Sequence, residues 1–307
     1  MASWVFKNMH TSVLLEKVIK YLDPKPGENF IDCTIGEAGH SLAILENTKP
    51  DGKVLGIDVD AESLNKLKEK IQEQQANRFI FARGNFKDLK KIVQENNFSN
   101  INGILFDLGL SSWQIEESGK GFTHKKDEPL SMILNGGQVV SAQELINTWP
   151  EESLIEIFQK YGEEKYSRRI VREIVNQRRA IPIKTTFQLK EAIQRAIPFG
   201  ITPRGKLNRV LSRIFQALRI VVNDELENLK SGLEQALEIV SVNGRIVVIS
   251  FHSLEDRIVK NFFRDKQREG RLQILTKKPL IADEFETGIN PRSRSAKLRA
   301  AMKIEGL

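Results

Sequence analysis

The chain has 307 residues, 40% hydrophobic and 28% charged, which is too long for one minimal core and suits a large globular domain with a smaller companion. A single cysteine, Cys33, excludes an internal disulfide, and no apolar run reaches membrane-spanning length. The net charge of +7 and pI near 9.3 point to an anionic partner, with a merely solvated basic surface as the alternative.

In chain order, the opening Met1–Lys7 lacks a signal-peptide core, so a cytoplasmic location is expected. Short apolar runs then alternate with amphipathic stretches. Strands are predicted at Asn29–Thr34, Lys53–Asp58, Arg78–Ala82 and Ile101–Leu108, and helices at Glu37–Asn47, Ala61–Gln75 and Phe86–Asn96. Strand cores apolar on both faces, each followed by a helix, argue a doubly wound, mostly parallel α/β sheet. The rhythm breaks at Ser111–Gly137, rich in Ser, Gly, Lys and Glu, which reads as a long functional loop. Helical patterns follow at Ala142–Trp149, Glu151–Tyr161, Lys165–Arg179 and Thr186–Ile197, punctuated by Pro182, Pro198 and Pro203. A long helical region over about Asn208–Val240 leads to a fifth strand, Gly244–Ser250, then a helix Leu254–Lys266 and late strands near Leu272–Thr276 and Ala296–Ile304. The simplest architecture is a sheet domain of residues 1–115 and 208–307 interrupted by a helical insertion over 116–207.

Small residues follow the first strand in Ile35-Gly36-Glu37-Ala38-Gly39-His40, where the backbone is able to approach a ligand at a helix start. About 20 residues on, Asp58 ends the second strand, placed to accept from both hydroxyls of an adenosine ribose. That geometry serves a dinucleotide and S-adenosylmethionine alike. Gly36-x-x-Gly39 is not Gly-x-Gly-x-x-Gly, which disfavours a pyrophosphate cradle. Asp107 ends the fourth strand, and ligands of open α/β sheets sit at carboxyl ends, so Asp58 and Asp107 are expected to face one crevice. A turn cap is the alternative for Asp107. Phe86, at the end of strand three, is a candidate to pack on an adenine or, alternatively, a core residue at a helix entry.

These stretches resemble the bacterial 16S ribosomal RNA cytosine-N4 methyltransferases, the RsmH or MraW family. The likeness runs through His10–Glu16, Gly36–His40, Asp107-Leu108-Gly109-Leu110-Ser111-Ser112-x-Gln114, Gly121-Phe122 and Tyr161–Glu164. It continues through Phe215–Leu226, Ser250–Lys260 and Asn290–Arg299, covering nearly the whole chain. The resemblance implies a methyltransferase core with an inserted helical substrate-recognition domain. It implies S-adenosylmethionine binding at Ala38, Gly39, His40, Asp58, Phe86, Asp107 and Gln114, beside Gly36, and a decoding-centre cytosine of 16S rRNA in the small ribosomal subunit as substrate. Departures fall at Leu130-Ser131-Met132-Ile133-Leu134, where the family reads Leu-Asp-Met-Arg-Met, at Arg209-Val210-Leu211, where it reads His-Pro-Ala, and at Ala38, where it has Gly. A loop acid, a loop arginine and a histidine are therefore missing. Alternatives are a descendant that binds cofactor and ribosome without turnover, and a methyltransferase for DNA or a small metabolite.

The exocyclic amine of cytosine is a poor nucleophile, its lone pair being delocalised into the ring. Acceptors that hold the amine raise its reactivity, and no metal is needed. Asp107 is the candidate acceptor. His252, just beyond strand five, is a candidate to orient the base or relay a proton, or else a structural histidine. Asp256 and Arg257 are expected to form a structural ion pair. His40 is assigned to turn or cofactor geometry, and no metal-ligand spacing joins the four histidines. Candidate RNA contacts are Arg168, Arg169, Arg172, Arg178 and Arg179, then Arg204, Lys206, Arg209 and Arg213, and finally Arg292, Arg294, Lys297 and Arg299. Arg219 and Ser253 join them on the substrate side. Trp113 is a candidate to stack on an extruded base, and Trp149 is assigned to the core of the insertion. A homodimer is one possible assembly.

Overall fold

The computed structural model describes residues 12–71, 77–134, 140–198 and 204–305. His10, Thr11, Gln75, Gly137 and Pro203 lie outside these ranges, and the side chain of Arg204 is likewise outside the description. The chain divides into two compact units, residues 1–109 with 226–307, and residues 110–225.

The first unit carries one seven-stranded sheet. Its strands are β1 (Asn29–Asp32), β2 (Val54–Asp58), β3 (Phe79–Arg83), β4 (Ile101–Asp107), β5 (Arg245–Ser250), β6 (Leu272–Ile274) and β7 (Lys297–Lys303). The order is β3-β2-β1-β4-β5-β7-β6, parallel except for β7, which runs antiparallel to both β5 and β6. Alternation with period two explains the strands. In β4 and β5, Ile104, Phe106, Ile246 and Val248 point to one core, and Leu105, Val247 and Ile249 to the other. The first core is closed by α4 (Leu89–Glu95), α11 (Glu225–Ile239) and α12 (Ser253–Arg268) through Ile92, Leu233 and Phe263. The second is closed by α1 (Leu15–Leu22), α2 (Gly39–Asn47) and α3 (Ala61–Lys70) through Val18, Ile44 and Leu64. Gly232 lets α11 approach the sheet, since a Cβ there would stand 2.8 Å from the Phe86 ring.

The second unit is helical: α5 (Ser112–Glu116), α6 (Ala142–Thr148), α7 (Glu151–Lys160), α8 (Ser167–Ala180), α9 (Thr186–Ala196) and α10 (Arg204–Asn223). It has its own core, with Leu154, Phe158, Ile170, Ile174, Leu189, Ile193, Leu211, Ile214 and Leu218 at its centre. Trp149 packs against this core, as expected. Helix α8 buries Ser167, Ile170, Val171, Ile174 and Val175, the spacing of one helical face. Ser131 and Met132 sit in a loop pinned by backbone bonds from Met132 to the Lys120 carbonyl and from Ala142 to the Ser131 carbonyl. The side chain of Asn223 bonds the Met132 carbonyl at 2.8 Å and accepts from the Leu134 amide at 2.9 Å.

The structure changes two expectations and resolves a third in more detail. The helical unit spans 110–225 and not 116–207, because the apolar face of α10 packs into the helical core and carries residues 208–223 with it. The long helical region expected over Asn208–Val240 comprises two helices, parted where Asp224 adopts a left-handed backbone with φ of 51°. Helix α2 begins at Gly39, two residues after the expected start, because Ala38 takes a left-handed φ of 62° as its N-cap.

Arg299 of β7 is 7% exposed and grips Asp256 of α12 through two bonds, of 2.6 and 3.3 Å. Asp256 also lies 3.7 Å from Lys297. The expected pairing of Asp256 with the adjacent Arg257 thus gives way to a link across the fold, and Arg299 is withdrawn from the RNA-facing set. Asp256→Ala leaves a buried guanidinium without its counter-charge, so stability should fall by about 3 kcal/mol in urea unfolding. Removing both charges as Asp256→Leu/Arg299→Met should cost clearly less.

Candidate active site

The strand order reverses at β1, with β2 on one side and β4 on the other, which opens a crevice at their carboxyl ends. Three of these strands end in an acid: Asp32, Asp58 and Asp107. Backbone bonds hold the ends in register, from Cys33 to the Leu105 carbonyl, from Ile35 to that of Ile57 and from Leu108 to that of Ile249. Local sequence therefore supplies the acids, and the parallel sense of the strands gathers them.

Each acid is held differently. Asp32 is 1% exposed and accepts from the Ser41 hydroxyl at 2.6 Å and the Thr34 amide at 3.2 Å. Asp58 accepts from the amides of Asp60 at 2.9 Å and Gly36 at 3.3 Å, so it braces the glycine turn directly. Asp107 is fixed through its backbone, whose amide donates to the Thr34 hydroxyl at 2.7 Å. Its Oδ2 lies 3.5 Å from Nδ1 of His40, while its Oδ1 is buried with no hydrogen-bond partner among the described residues. Burial pushes the Asp58 and Asp107 carboxyls up to about 6 and raises that of Asp32 as well.

The turn itself is built for close approach. Gly36 has a φ of 49°, and a Cβ there would meet nothing nearer than the Thr34 carbonyl at 3.8 Å. Ala38 holds a left-handed conformation at full burial, and Gly39 opens α2. His40 is buried, its Nε2 2.9 Å from the Val13 carbonyl. Phe86 stands edge-on to Phe106, 5.5 Å between centroids, and is partly exposed. Taken together, three carboxyls at one sheet end repel phosphate and welcome a cation, while an acceptor with no donor invites an N–H or O–H. A phosphate-free, cationic nucleoside fits this chemistry better than a dinucleotide.

Around β5, His252 caps α12, its Nδ1 accepting from the Glu255 amide at 3.4 Å. Its Nε2 lies 3.1 Å from Glu255 Oε1, outside hydrogen-bond alignment. Glu255 is 4% exposed and also accepts from the Phe251 amide, so this acid organises the whole turn. Ser253 is exposed at the first helical position, Arg294 is exposed on the 3-10 turn Pro291–Ser295, and the charge of Arg292 acts on Asp107.

In the helical unit, Gln114 is 7% exposed and closes a capping box, its Oε1 accepting from the Ser111 amide at 2.9 Å. Its place among cofactor contacts rests on the resemblance alone. Trp113 is partly exposed on α5. Arg213 pairs with the buried Glu164 at 3.4 Å, and Arg219 forms a two-pronged pair with Glu225 at 2.7 and 2.9 Å. Arg178 donates to the Ile146 carbonyl at 2.7 Å, which leaves Arg168, Arg169, Arg172 and Arg179 as the exposed arginines of α8.

Sequence reasoning assigned no role to Asp32, Thr34, Val13 or Glu255. Only Asp32 had a signal, as an acid at the end of the central strand.

Residues 7–304 match the MraW methylase family. A Heliobacterium mobile protein, "Ribosomal RNA small subunit methyltransferase H", is 42% identical over 96% of this chain and 99% of its own length. A protein of the same name from Syntrophotalea carbinolica is 41% identical over 96% and 98%. Among solved structures, an rRNA methylase from Streptococcus thermophilus aligns with a TM-score of 0.45 and 10% identity, covering 97% of this chain and 99% of that one. Near-complete coverage at this identity, over strings that include the acids and the glycine turn, means that the chain belongs to the MraW methylase family.

Proposed function

We propose that the protein methylates the exocyclic N4 amine of a decoding-centre cytosine in 16S rRNA. The coarser activity follows from the family: the chain is an S-adenosylmethionine-dependent methyltransferase of small-subunit ribosomal RNA. The observation that carries the finer reading is Asp107 Oδ1, a buried acceptor at the end of β4 without a donor among the described residues.

Bound in the crevice, S-adenosylmethionine supplies a methyl group already activated by its sulfonium. On this reading Asp58 accepts from the ribose hydroxyls, and Gly36, Ala38 and Gly39 let the backbone lie against the nucleoside. Phe86 offers an aromatic edge to the adenine, and the acids stabilise the cation. Asp107 Oδ1 accepts from the target amine, which orients its lone pair and receives its proton. His252 supports the turn that follows β5 more than it moves protons, because its ring is committed to capping α12. RNA phosphates are assigned to Arg168, Arg169 and Arg172, and to Arg292 and Arg294. Trp113 and Ser253 are kept as contacts to the base or its neighbours. Arg213 and Arg219 reach RNA only by giving up acidic partners, so they rank below the exposed arginines.

The test is labelled methyl transfer to small subunits from a strain lacking the modification. Label on a cytosine N4 is expected. Cofactor binding without label, or label only on DNA or a metabolite, would replace this reading with one of the alternatives named above. Asp58→Ala should weaken S-adenosylmethionine binding by about 1–3 kcal/mol in calorimetry, the loss of a bonded hydroxyl pair. Because burial raises Asp58 to about 6, its ionised, accepting form is lost as pH falls through that value, so wild-type affinity should drop between pH 7 and 5. RNA affinity should fall steeply with salt, and Arg168→Ala/Arg172→Ala should flatten the log–log slope by about 2, one unit for each phosphate contact.

A further inference from the structure

His40 joins two places that the sequence keeps apart. One ring nitrogen, Nε2, lies 2.9 Å from the Val13 carbonyl, and the other, Nδ1, lies 3.5 Å from Asp107 Oδ2. A carbonyl only accepts, so Nε2 carries a hydrogen. That assignment leaves Nδ1 as the nitrogen that is either bare or protonated, and it faces a carboxylate oxygen. Two bare acceptors at this separation repel each other, whereas one proton between them makes a bond. The ring is 5% exposed, so water does not readily fill that role.

We propose that His40 is a positioning residue for Asp107: its Nδ1 holds the proton that would otherwise settle on the carboxyl, which keeps Asp107 Oδ1 bare to accept from the target amine. This rests on the reading that Oδ1 faces that amine. When the amine is methylated, its N–H bond breaks, the electron pair stays on nitrogen, and the proton forms an O–H bond on Asp107. The carboxylate must be ionised beforehand for this step, and its burial works against ionisation. His40 is the strongest neighbour opposing that effect. The other charged groups acting on Asp107 are Asp32 on β1 and Glu255 on α12, which raise it, and Arg292 on the 3-10 turn, which lowers it. After burial itself, the imidazole is the largest of these influences.

Glutamine distinguishes this role from simple packing. In His40→Gln the amide nitrogen reaches the place of Nε2 and still donates to the Val13 carbonyl, but nothing titratable faces Asp107. In protein with carboxyl-labelled aspartate, the Asp107 resonance, identified by its loss in Asp107→Asn, should titrate near 6 in the wild type. In His40→Gln its midpoint should rise by about one pH unit, because a favourable charge has gone. An unmoved midpoint overturns the proposal, and so does a fall. In methyl transfer, the acid limb of kcat should move up with the carboxyl, by about threefold in rate at pH 6.5 and toward tenfold well below pH 6, and converge with the wild type above pH 8. A uniform loss at every pH with S-adenosylmethionine affinity intact would mark a merely structural histidine and overturn it as well. Should His40→Gln fail to fold by thermal unfolding, His40→Asn, whose amide takes the place of Nδ1 without titrating, must show the same rise. If wild-type protein labels no cytosine, the proposed function fails, while the carboxyl titration still decides the role of His40.

Discussion

The structure depends on one arrangement, the burial of three carboxyls at the carboxyl ends of neighbouring parallel strands. Burying an acid is costly unless donors meet it, and here the donors thin out from one acid to the next. Asp32 has a hydroxyl and an amide, Asp58 has two amides, and Asp107 has an imidazole at one oxygen and, among the described residues, no hydrogen-bond partner at the other. The first two hold the scaffold of the crevice. All three rise in pKa through burial, so the crevice resists becoming fully anionic and favours a ligand that brings positive charge. The gathering of the acids thus follows from strand direction and residue choice.

The positive charge of the chain divides into two uses. Part is spent inside the fold, where Arg299 grips Asp256, Arg245 grips Asp23 and Arg219 grips Glu225. The remainder stands outward, as on α8, whose buried face leaves Arg168, Arg169, Arg172 and Arg179 toward solvent. A net charge read from composition counts both uses alike. Only the second is open to solvent, which is why arginines close in sequence, such as Arg294 and Arg299, stand in different surroundings.

What sequence patterns reveal here is what depends on near neighbours. Short runs apolar on both faces, alternating with helical stretches, disclosed five parallel strands and the late pair, and the acids at strand ends followed from where ligands bind such sheets. The glycine turn was legible because Gly36 and Gly39 are local signals. The partners of these groups were not legible. Asp256 meets Arg299 across 43 positions, and Asp107 meets Thr34 across 73. Such pairings arise from strand order, which periodicity does not encode. The break at Asp224 was hidden for a different reason: an aspartate with positive φ leaves no mark in an otherwise continuous apolar stripe. The departure at Ser131 likewise looks like a loss on paper, yet its backbone amide and carbonyl are both bonded within the helical unit.

The place of β7 has a consequence for how the chain is made. It is the last strand to be synthesised, yet it lies inside the sheet, between β5 and β6. The entire helical unit also intervenes between β4 and its neighbour β5. A growing chain is therefore able to pair β1 to β4 early, while one flank of β5 and the pairing edge of β6 wait for residues 297–303 to emerge. Non-local pairing of this kind is slow and leaves strand edges exposed in the meantime. An early helical unit with its own core gives the nascent polypeptide something to complete during that interval, and the arrival of Arg299 beside Asp256 fastens the assembly shut.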